Sequence, residues 1–302
     1  ILAILSGGAV GLILALIGGG GSILATPALL YVVGITNPHI ATIQRNAIRS
    51  WTALPEVEVV LLGEEVGLAE AAAELGVRHI AQVRRNASGT PLVSSMFELA
   101  RQLNDSPLLA CVNADILLLP DFVEAAHQAL ALTERFLVVG QRWDLDVTEA
   151  LDFYAGWADR LQAELKARGK LHARTGSDYF IYPRGCFTKI PDFAIGRAGW
   201  DNWMIYEARQ RGWKVMDATE SIQVVHQNHD YSHFADGKPH YRQPETFENI
   251  RLAGGKRMIF HLIDTDTRLV DGKLLPARPG WRKFWREVEI FPLVKLHSYP
   301  LA

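Results

Sequence analysis

Charge is missing from the start of this 302-residue chain: Ile1 to Gln44 contains no Asp, Glu, Lys or Arg, and Arg45 is the first charged side chain. An apolar stretch of that length would expose a patch above what a monomer tolerates in water, so it is expected to sit in a membrane and to contribute little to the core of the body. Ile1 to Ile17 is nearly unbroken apolar sequence, Gly18 to Gly21 interrupts it, and Ser22 to Ile35 resumes it. Such lengths sit at or below the lower limit for a spanning helix and suit a broken or re-entrant segment. No basic n-region and no small-residue cleavage site mark a secretory leader. No Lys follows the glycines, which argues against a phosphate-binding loop. Cysteine is almost absent. Cys111 and Cys186 alone exclude a disulfide framework and a CxxC metal site, and make a reducing compartment the default. A net charge of −2, from 31 basic and 33 acidic residues, leaves no electrostatic footprint for nucleic acid. After Ile35 no further long uncharged helix can be read.

What is present is a sizeable core: the chain is 49% hydrophobic and 21% charged, enough for one large domain or two ordinary ones. Beyond Pro38 strand-like and helix-like segments alternate. His39 to Gln44 reads as a strand, Asn46 to Leu54 as a short helix, and Glu56 to Leu62 as a β-branched strand. Leu68 to Leu75 is an Ala-rich helix closed by Gly76, followed by a strand over Val77 to Val83. Leu92, Met96, Leu99 and Leu103 share one helical face. Asp121 to Leu132 reads as a helix and Phe136 to Gly140 as a strand. This order predicts an α/β fold with a parallel, Rossmann-like sheet. The second half predicts a long helix over Thr148 to Arg168 and a strand over Gly176 to Tyr182. A helix from Met204 to Arg211 and strands at Lys214 to Asp217 and Ser221 to Val225 follow.

The segment PLLACVNADILLLPDF, Pro107 to Phe122, carries the chemistry. Leu108 to Val112 has no polar alternation, as in a central strand covered on both faces. Asn113 and Asp115 then emerge where open α/β sheets bind ligands. Asp115 is a hard oxygen ligand suited to Mg²⁺ or Mn²⁺; alternatively both residues tie up loop backbone. The run His226 to His233 holds three histidines, and His229 with His233, four apart, is the alternative zinc reading. Near the carboxyl end Trp281, Phe284, Trp285 and Val288 fall on one helical face beside Arg282, Lys283 and Arg286. That pattern fits an interfacial helix on anionic lipid, or a terminal helix docked on the domain.

Two resemblances give these features a context. The stretch GAVGLILALIGGGGSILATPALLYVVGITNPHIA, within about the first 41 residues, resembles the amino-terminal hairpin of the TauE/SafE family of membrane anion exporters. It implies an apolar membrane-type helical hairpin and membrane association for residues 1–38. Transport does not carry over, since the other spans of an exporter are absent. Residues 39–235 resemble family 2-like glycosyltransferases of the GT-A fold. The likeness is carried by HIATIQRNAIRSW, VNADILLLPDF, GQRWDLD, GSDYFIYPRG, GWDNWMIYEARQRGWKV and VVHQNHDYSH.

This second resemblance implies a nucleotide-diphospho-sugar transferase that moves a sugar from a nucleotide-sugar donor to a hydroxyl of a glycan, lipid or small-molecule acceptor. It divides the body into a donor-binding half, 39–147, an acceptor-binding half, 148–240, and an extension, 241–302. The family's D-x-D metal motif stands here as Asn113-Ala114-Asp115, so Asn replaces the first carboxylate. The resemblance assigns a divalent Mn²⁺ or Mg²⁺ to Asp115 and His226. Thr42, Gln44 and Arg45, with Asn113 and Asp178, become donor-binding residues. Asp201 becomes the general base, and Trp143, Asp144, Trp200 and Trp203 line the acceptor. Local readings stand beside these: Arg45 as a surface ion pair, Asp201 as a helix cap, and both tryptophans as core. A nucleotidyltransferase, an inactive sugar-binding domain and an exporter fragment are the competing functions. The implied location is a cytoplasmic domain with membrane association through the hairpin.

Overall fold

The computed structural model describes residues 12–17 and 21–26, for which the backbone alone is considered, and residues 38–65, 67–229 and 243–298. A ten-stranded sheet forms the centre of the fold. In chain order the elements of the first half are β1 (Leu12–Ile17), β2 (Gly21–Thr26), α1 (Pro38–Thr52), β3 (Val57–Leu62), α2 (Leu68–Leu75) and β4 (Arg78–Ile80). Then come α3 (Val93–Gln102), β5 (Leu108–Asn113), β6 (Ile116–Leu117), α4 (Asp121–Leu132), β7 (Phe136–Val139) and β8 (Trp143–Leu145). The second half adds α5 (Trp157–Arg168), β9 (Lys170–Leu171), β10 (Tyr179–Pro183), α6 (Trp200–Gln210), β11 (Lys214–Asp217) and β12 (Val225–Gln227). The chain closes with α7 (Pro244–Leu252), a β13–β14 hairpin (Thr267–Val270, Lys273–Pro276) and α8 (Trp281–Val294).

The large sheet runs β14-β13-β11-β7-β10-β5-β1-β2-β3-β4. It is mixed rather than parallel. β2, β3 and β4 are parallel, as are β7, β11 and β13, but β5 has antiparallel neighbours in β1 and β10. An unalternating strand such as Leu108 to Val112, wholly buried here, is covered on both faces in either arrangement, so its pattern does not report direction. Alternate residues feed two cores: Leu109 and Cys111 pack with α3 and α6 on one face, and Leu108, Ala110 and Val112 pack with α1 and α4 on the other. A second, smaller sheet, β6-β12-β8-β9, lies beside the end of β5.

Four local expectations differ from the structure, among them the strand expected over Ser221 to Val225, which lies instead at Val225–Gln227. His39 to Gln44 is helical, the first part of α1. Ile40, Ile43, Ala47, Ile48 and Trp51 are buried at helical spacing, a period that a six-residue window could not reveal. The helix expected over Thr148 to Arg168 begins only at Trp157, after Gly156 at φ 79° breaks it. The expected helical hairpin contains the strands β1 and β2, which pair antiparallel from Leu12↔Thr26 to Ala15↔Ile23. Short apolar runs on either side of a glycine cluster satisfy a buried strand as well as a helix. Among the described residues no helix is long and apolar enough to cross a membrane.

Candidate active site

The small sheet sets the geometry. β12 lies parallel to β8 with His226 opposite Asp144, and antiparallel to β6 with His226 opposite Ile116. Asp115 immediately precedes β6, two residues past the end of β5. Register therefore brings together residues from three distant stretches of chain. The Asp115 Oδ2 is 3.4 Å from His226 Nε2 and 3.1 Å from His229 Nε2. One ligand atom from each lies within 4.8 Å of the others. The Asp115 Oδ1 is buried without a hydrogen-bond partner among the described residues. Burial works to raise the Asp115 pKa, but His226 and His229 outweigh it and hold the carboxyl well below its ordinary range. An ionised carboxylate with an orphaned oxygen, facing two imidazoles, is a donor set that a divalent cation fits.

Asp144 joins this group to a neighbouring cleft. Its Oδ1 is 3.3 Å from His226 Nδ1 and accepts from Arg142 Nε at 2.9 Å; its Oδ2 is 2.8 Å from His172 Nδ1. Arg142 then donates through Nη1 to both oxygens of Asp178, at 2.9 and 3.0 Å. Asn113 Nδ2 donates to the same carboxylate at 2.7 Å. Burial opposes the Arg142 charge, but Asp178, Asp115 and Asp144 outweigh it and raise its pKa. Burial likewise opposes ionisation of Asp144, and His172 and Arg142 overcome it, lowering that pKa. The cleft has a volume of 390 Å³, and Asn113, Arg142, His172, Asp178, Trp200 and Asp201 are among its lining residues.

The residues singled out from sequence separate into groups. Asp115 and His226 meet at the triad; Asn113, Asp178, Trp200 and Asp201 line the cleft. Asn113 gives its amide to Asp178. Asp201 lies in the first turn of α6, where Oδ1 accepts from Gly199 N at 3.2 Å, so it is at once a helix-start residue and a cleft residue. Trp200 packs on Phe180 while reaching the cleft. Trp203 is buried against Phe193 and belongs to the core, away from any sugar face. Asp144 orients two histidines, and Trp143 packs with Leu117, Leu145 and Val225 under the small sheet. Thr42, Gln44 and Arg45 sit on a helix rather than a strand edge and are not among the residues lining the cleft. Arg45 pairs bidentately with Glu74 of α2 at 2.8 to 3.1 Å. His233 lies outside the described residues, and His229 joins Asp115 instead.

Sequence reasoning missed several contributors. Arg142 stands inside GQRWDLD without an assigned role and His172 has no motif of its own; both become visible through their bonds to Asp144. Asn46 and Gln227 are wholly buried polar residues. Asn46 Nδ2 donates to Gln227 Oε1 at 3.1 Å, and Gln227 donates from its side chain to the Ile43 carbonyl at 2.8 Å and from its backbone to the Asp115 carbonyl at 3.1 Å. Trp51 Nε1 also donates to the Ile116 carbonyl at 2.9 Å. Thus α1 braces the loop that carries Asp115. A polar Asn on the apolar stripe of a helix was the available signal.

No family profile matches the chain. Curated relatives described as probable membrane transporter proteins, from two strains of Xylella fastidiosa, are 76% identical over 41 residues, or 14% of this chain. The chain spans only 16% of the length of those relatives. Among solved structures, glucosyl-3-phosphoglycerate synthase from Mycobacterium tuberculosis, in complex with phosphoglyceric acid, aligns over 72% of this chain and 77% of its own, with 17% identity and a TM-score of 0.45. A second mycobacterial protein aligns over 71% of each chain at 16% identity, with a TM-score of 0.44. Scores this low assign neither a fold family nor an activity.

Proposed function

We propose that the chain is a nucleotide-sugar-dependent glycosyltransferase of the GT-A type. The observation that carries this reading is the convergence of Asp115, His226 and His229 at the carboxyl end of the central strand, beside a cleft holding Asp178 and Asp201. Asp115, His226 and His229 would hold a divalent cation, and two imidazoles favour Mn²⁺ over Mg²⁺. Such a cation supplies positive charge to a diphosphate when bound. Asp201 takes the proton of the acceptor hydroxyl as that oxygen attacks the anomeric carbon and the nucleoside diphosphate departs. Arg142, fixed between Asp144 and Asp178, keeps the cleft side of Asp178 in one orientation. Trp200 supplies an apolar edge for a sugar ring.

Release of nucleoside diphosphate from a panel of nucleotide-sugars, with Mn²⁺, with Mg²⁺ and with chelator, tests the assignment. The expected result is Mn²⁺-dependent turnover of at least one donor that Asp115→Asn and Asp201→Asn both suppress. Pyrophosphate release from a nucleoside triphosphate and a sugar phosphate would identify a nucleotidyltransferase instead. Binding of a nucleotide-sugar without turnover would identify a sugar-binding domain, and neither binding nor turnover would reject the reading.

A further inference from the structure

The terminal helix α8 is amphipathic in the reverse sense of an ordinary docked helix, which turns its apolar stripe inward and its charges to water. Its contact with the domain is made by Ile290, Leu293 and Val294, all buried. Three of its five charged residues, Lys283, Arg286 and Glu287, also point inward. Arg286 Nε donates to the buried Asp264 at 2.6 Å, Lys283 Nζ donates to the Ile263 and Thr265 carbonyls at 2.8 and 2.6 Å, and Glu287 receives Arg209 at 2.8 Å. The face turned away from the domain carries Trp281, Phe284, Trp285, Val288 and Phe291, continued by Leu296, each between 49% and 73% exposed. These positions recur at the spacing of a single helical stripe. Trp281, Phe284 and Trp285 pack on one another at 5.4 to 6.1 Å between centroids, one pair stacked and two edge-to-face, one continuous aromatic surface that is left exposed among the described residues. Because the domain already anchors this helix without the aromatics, core packing does not explain them.

We propose that this stripe is a docking surface for an anionic lipid bilayer. Three features choose the bilayer over a protein. Tryptophan with phenylalanine is the composition of the membrane interface, where an amphipathic ring sits at headgroup depth. Arg282 and Lys295 lie near the two ends of the stripe, exposed and without ion-pair partners among the described residues, as juxtamembrane cations do. The acidic groups of the helix are already neutralised, Glu287 by Arg209 and Lys283 and Glu289 by Arg286. A second copy of the chain fits less well: antiparallel pairing of α8 with itself sets Arg282 against Lys295, cation facing cation. The inference is independent of the proposed activity.

Sedimentation of the full chain with phosphatidylcholine vesicles, alone or with about one third phosphatidylserine, tests it. The expected result is preferential binding to the anionic vesicles, weakened by salt. The W281S/F284S/W285S variant, altered only at exposed positions and checked by circular dichroism, binds at least tenfold more weakly. The R282E/K295E variant loses the preference for phosphatidylserine. Equal sedimentation of wild type and the triple variant, whether or not either binds through another segment, would overturn the proposal. So would indifference of the wild type to lipid charge. A concentration-dependent dimer that the triple variant abolishes, with no vesicle binding, would reassign the face to contact between copies.

Discussion

Replacing Asp178 with Ala is the most direct probe of whether the polar network is built into the fold or merely hydrated. Asp178 is 9% exposed at its side chain, and its partner Arg142 is 19% exposed. The substitution removes two guanidinium hydrogen bonds at 2.9 and 3.0 Å and the Asn113 bond at 2.7 Å. Hydrogen bonds to charged groups contribute about 1.5–3 kcal/mol each, and breaking a buried ion pair costs about 3–5 kcal/mol. Arg142 keeps Asp144 at 2.9 Å, so its charge is not orphaned and the lower part of that range applies, about 3 kcal/mol. Asp178→Asn keeps one acceptor oxygen but turns an amide toward the guanidinium, and costs about 2 kcal/mol. Urea unfolding at neutral pH measures this as a fall in midpoint at constant slope. Mn²⁺ affinity is expected to hold, because Asp178 lies outside the Asp115 triad. A loss below about 1 kcal/mol for Asp178→Ala would show that water replaces the carboxylate freely, and the account of the network would be wrong.

Asp144→Asn leaves the triad's own ligands in place but removes the carboxylate that faces His226 Nδ1 at 3.3 Å. Calorimetric titration should show about 10–100-fold weaker Mn²⁺ binding. Burial pushes the Asp121 carboxyl up to about 7, against the pull of the Gln223 and Phe122 backbone N–H groups. The folded state then binds the extra proton, so the contribution of Asp121 to stability is fully present below about pH 4 and is lost as pH rises through about 7, by at most about 4 kcal/mol. Asp121→Asn should flatten that dependence and raise the urea midpoint at pH 8 more than at pH 5; an unchanged pH profile would refute it. Arg45→Ala breaks a half-exposed pair with Glu74, so thermal unfolding should register less than about 1 kcal/mol, with donor turnover unaltered.

Legibility from sequence followed the range of the interactions. α2 and α4 were readable to the residue because Gly76 and the Pro120-Asp121 entry are local signals. The position of Asp115 past a buried strand was likewise readable from the run Leu108 to Val112. α1 was misread at its start because six residues do not establish a period, although Ile40 to Trp51 taken together do. The direction of β10 and the pairing of β1 with β5 depend on partners far away in the chain. His172 was invisible for the same reason: it carries no motif, and only the β8–β9 pairing delivers it to Asp144, whereas Arg142 lies two residues from Asp144 inside GQRWDLD and was given no role. The aromatic residues of GWDNW show a third limit. Trp200 and Trp203 are equally suited by type to a sugar platform, and only packing sends Trp203 to Phe193 while Trp200 reaches the cleft.

The triad depends on one strand register, and the fold protects that register with polar groups rather than with more apolar packing. β12 is only three residues long, and a one-residue slip would turn His226 away from Asp115 and Asp144. Three residues of backbone pairing are a weak guarantee against this. Gln227 supplies the remainder. Its side chain is wholly buried and bonded to Asn46, to the Ile43 carbonyl and, at 3.2 Å, to the Asp115 carbonyl. A slipped strand would orphan the Gln227 amide, at a cost of about 1–3 kcal/mol for each unsatisfied group, while Asn46 keeps its bonds to the Glu149 carbonyl and the Leu151 N–H, both at 2.9 Å. An apolar residue in place of Gln227 could pack in either register and would discriminate less. The buried Gln227 amide therefore acts on specificity: it favours the register that assembles Asp115, His226 and His229, the one in which its own hydrogen bonds are made.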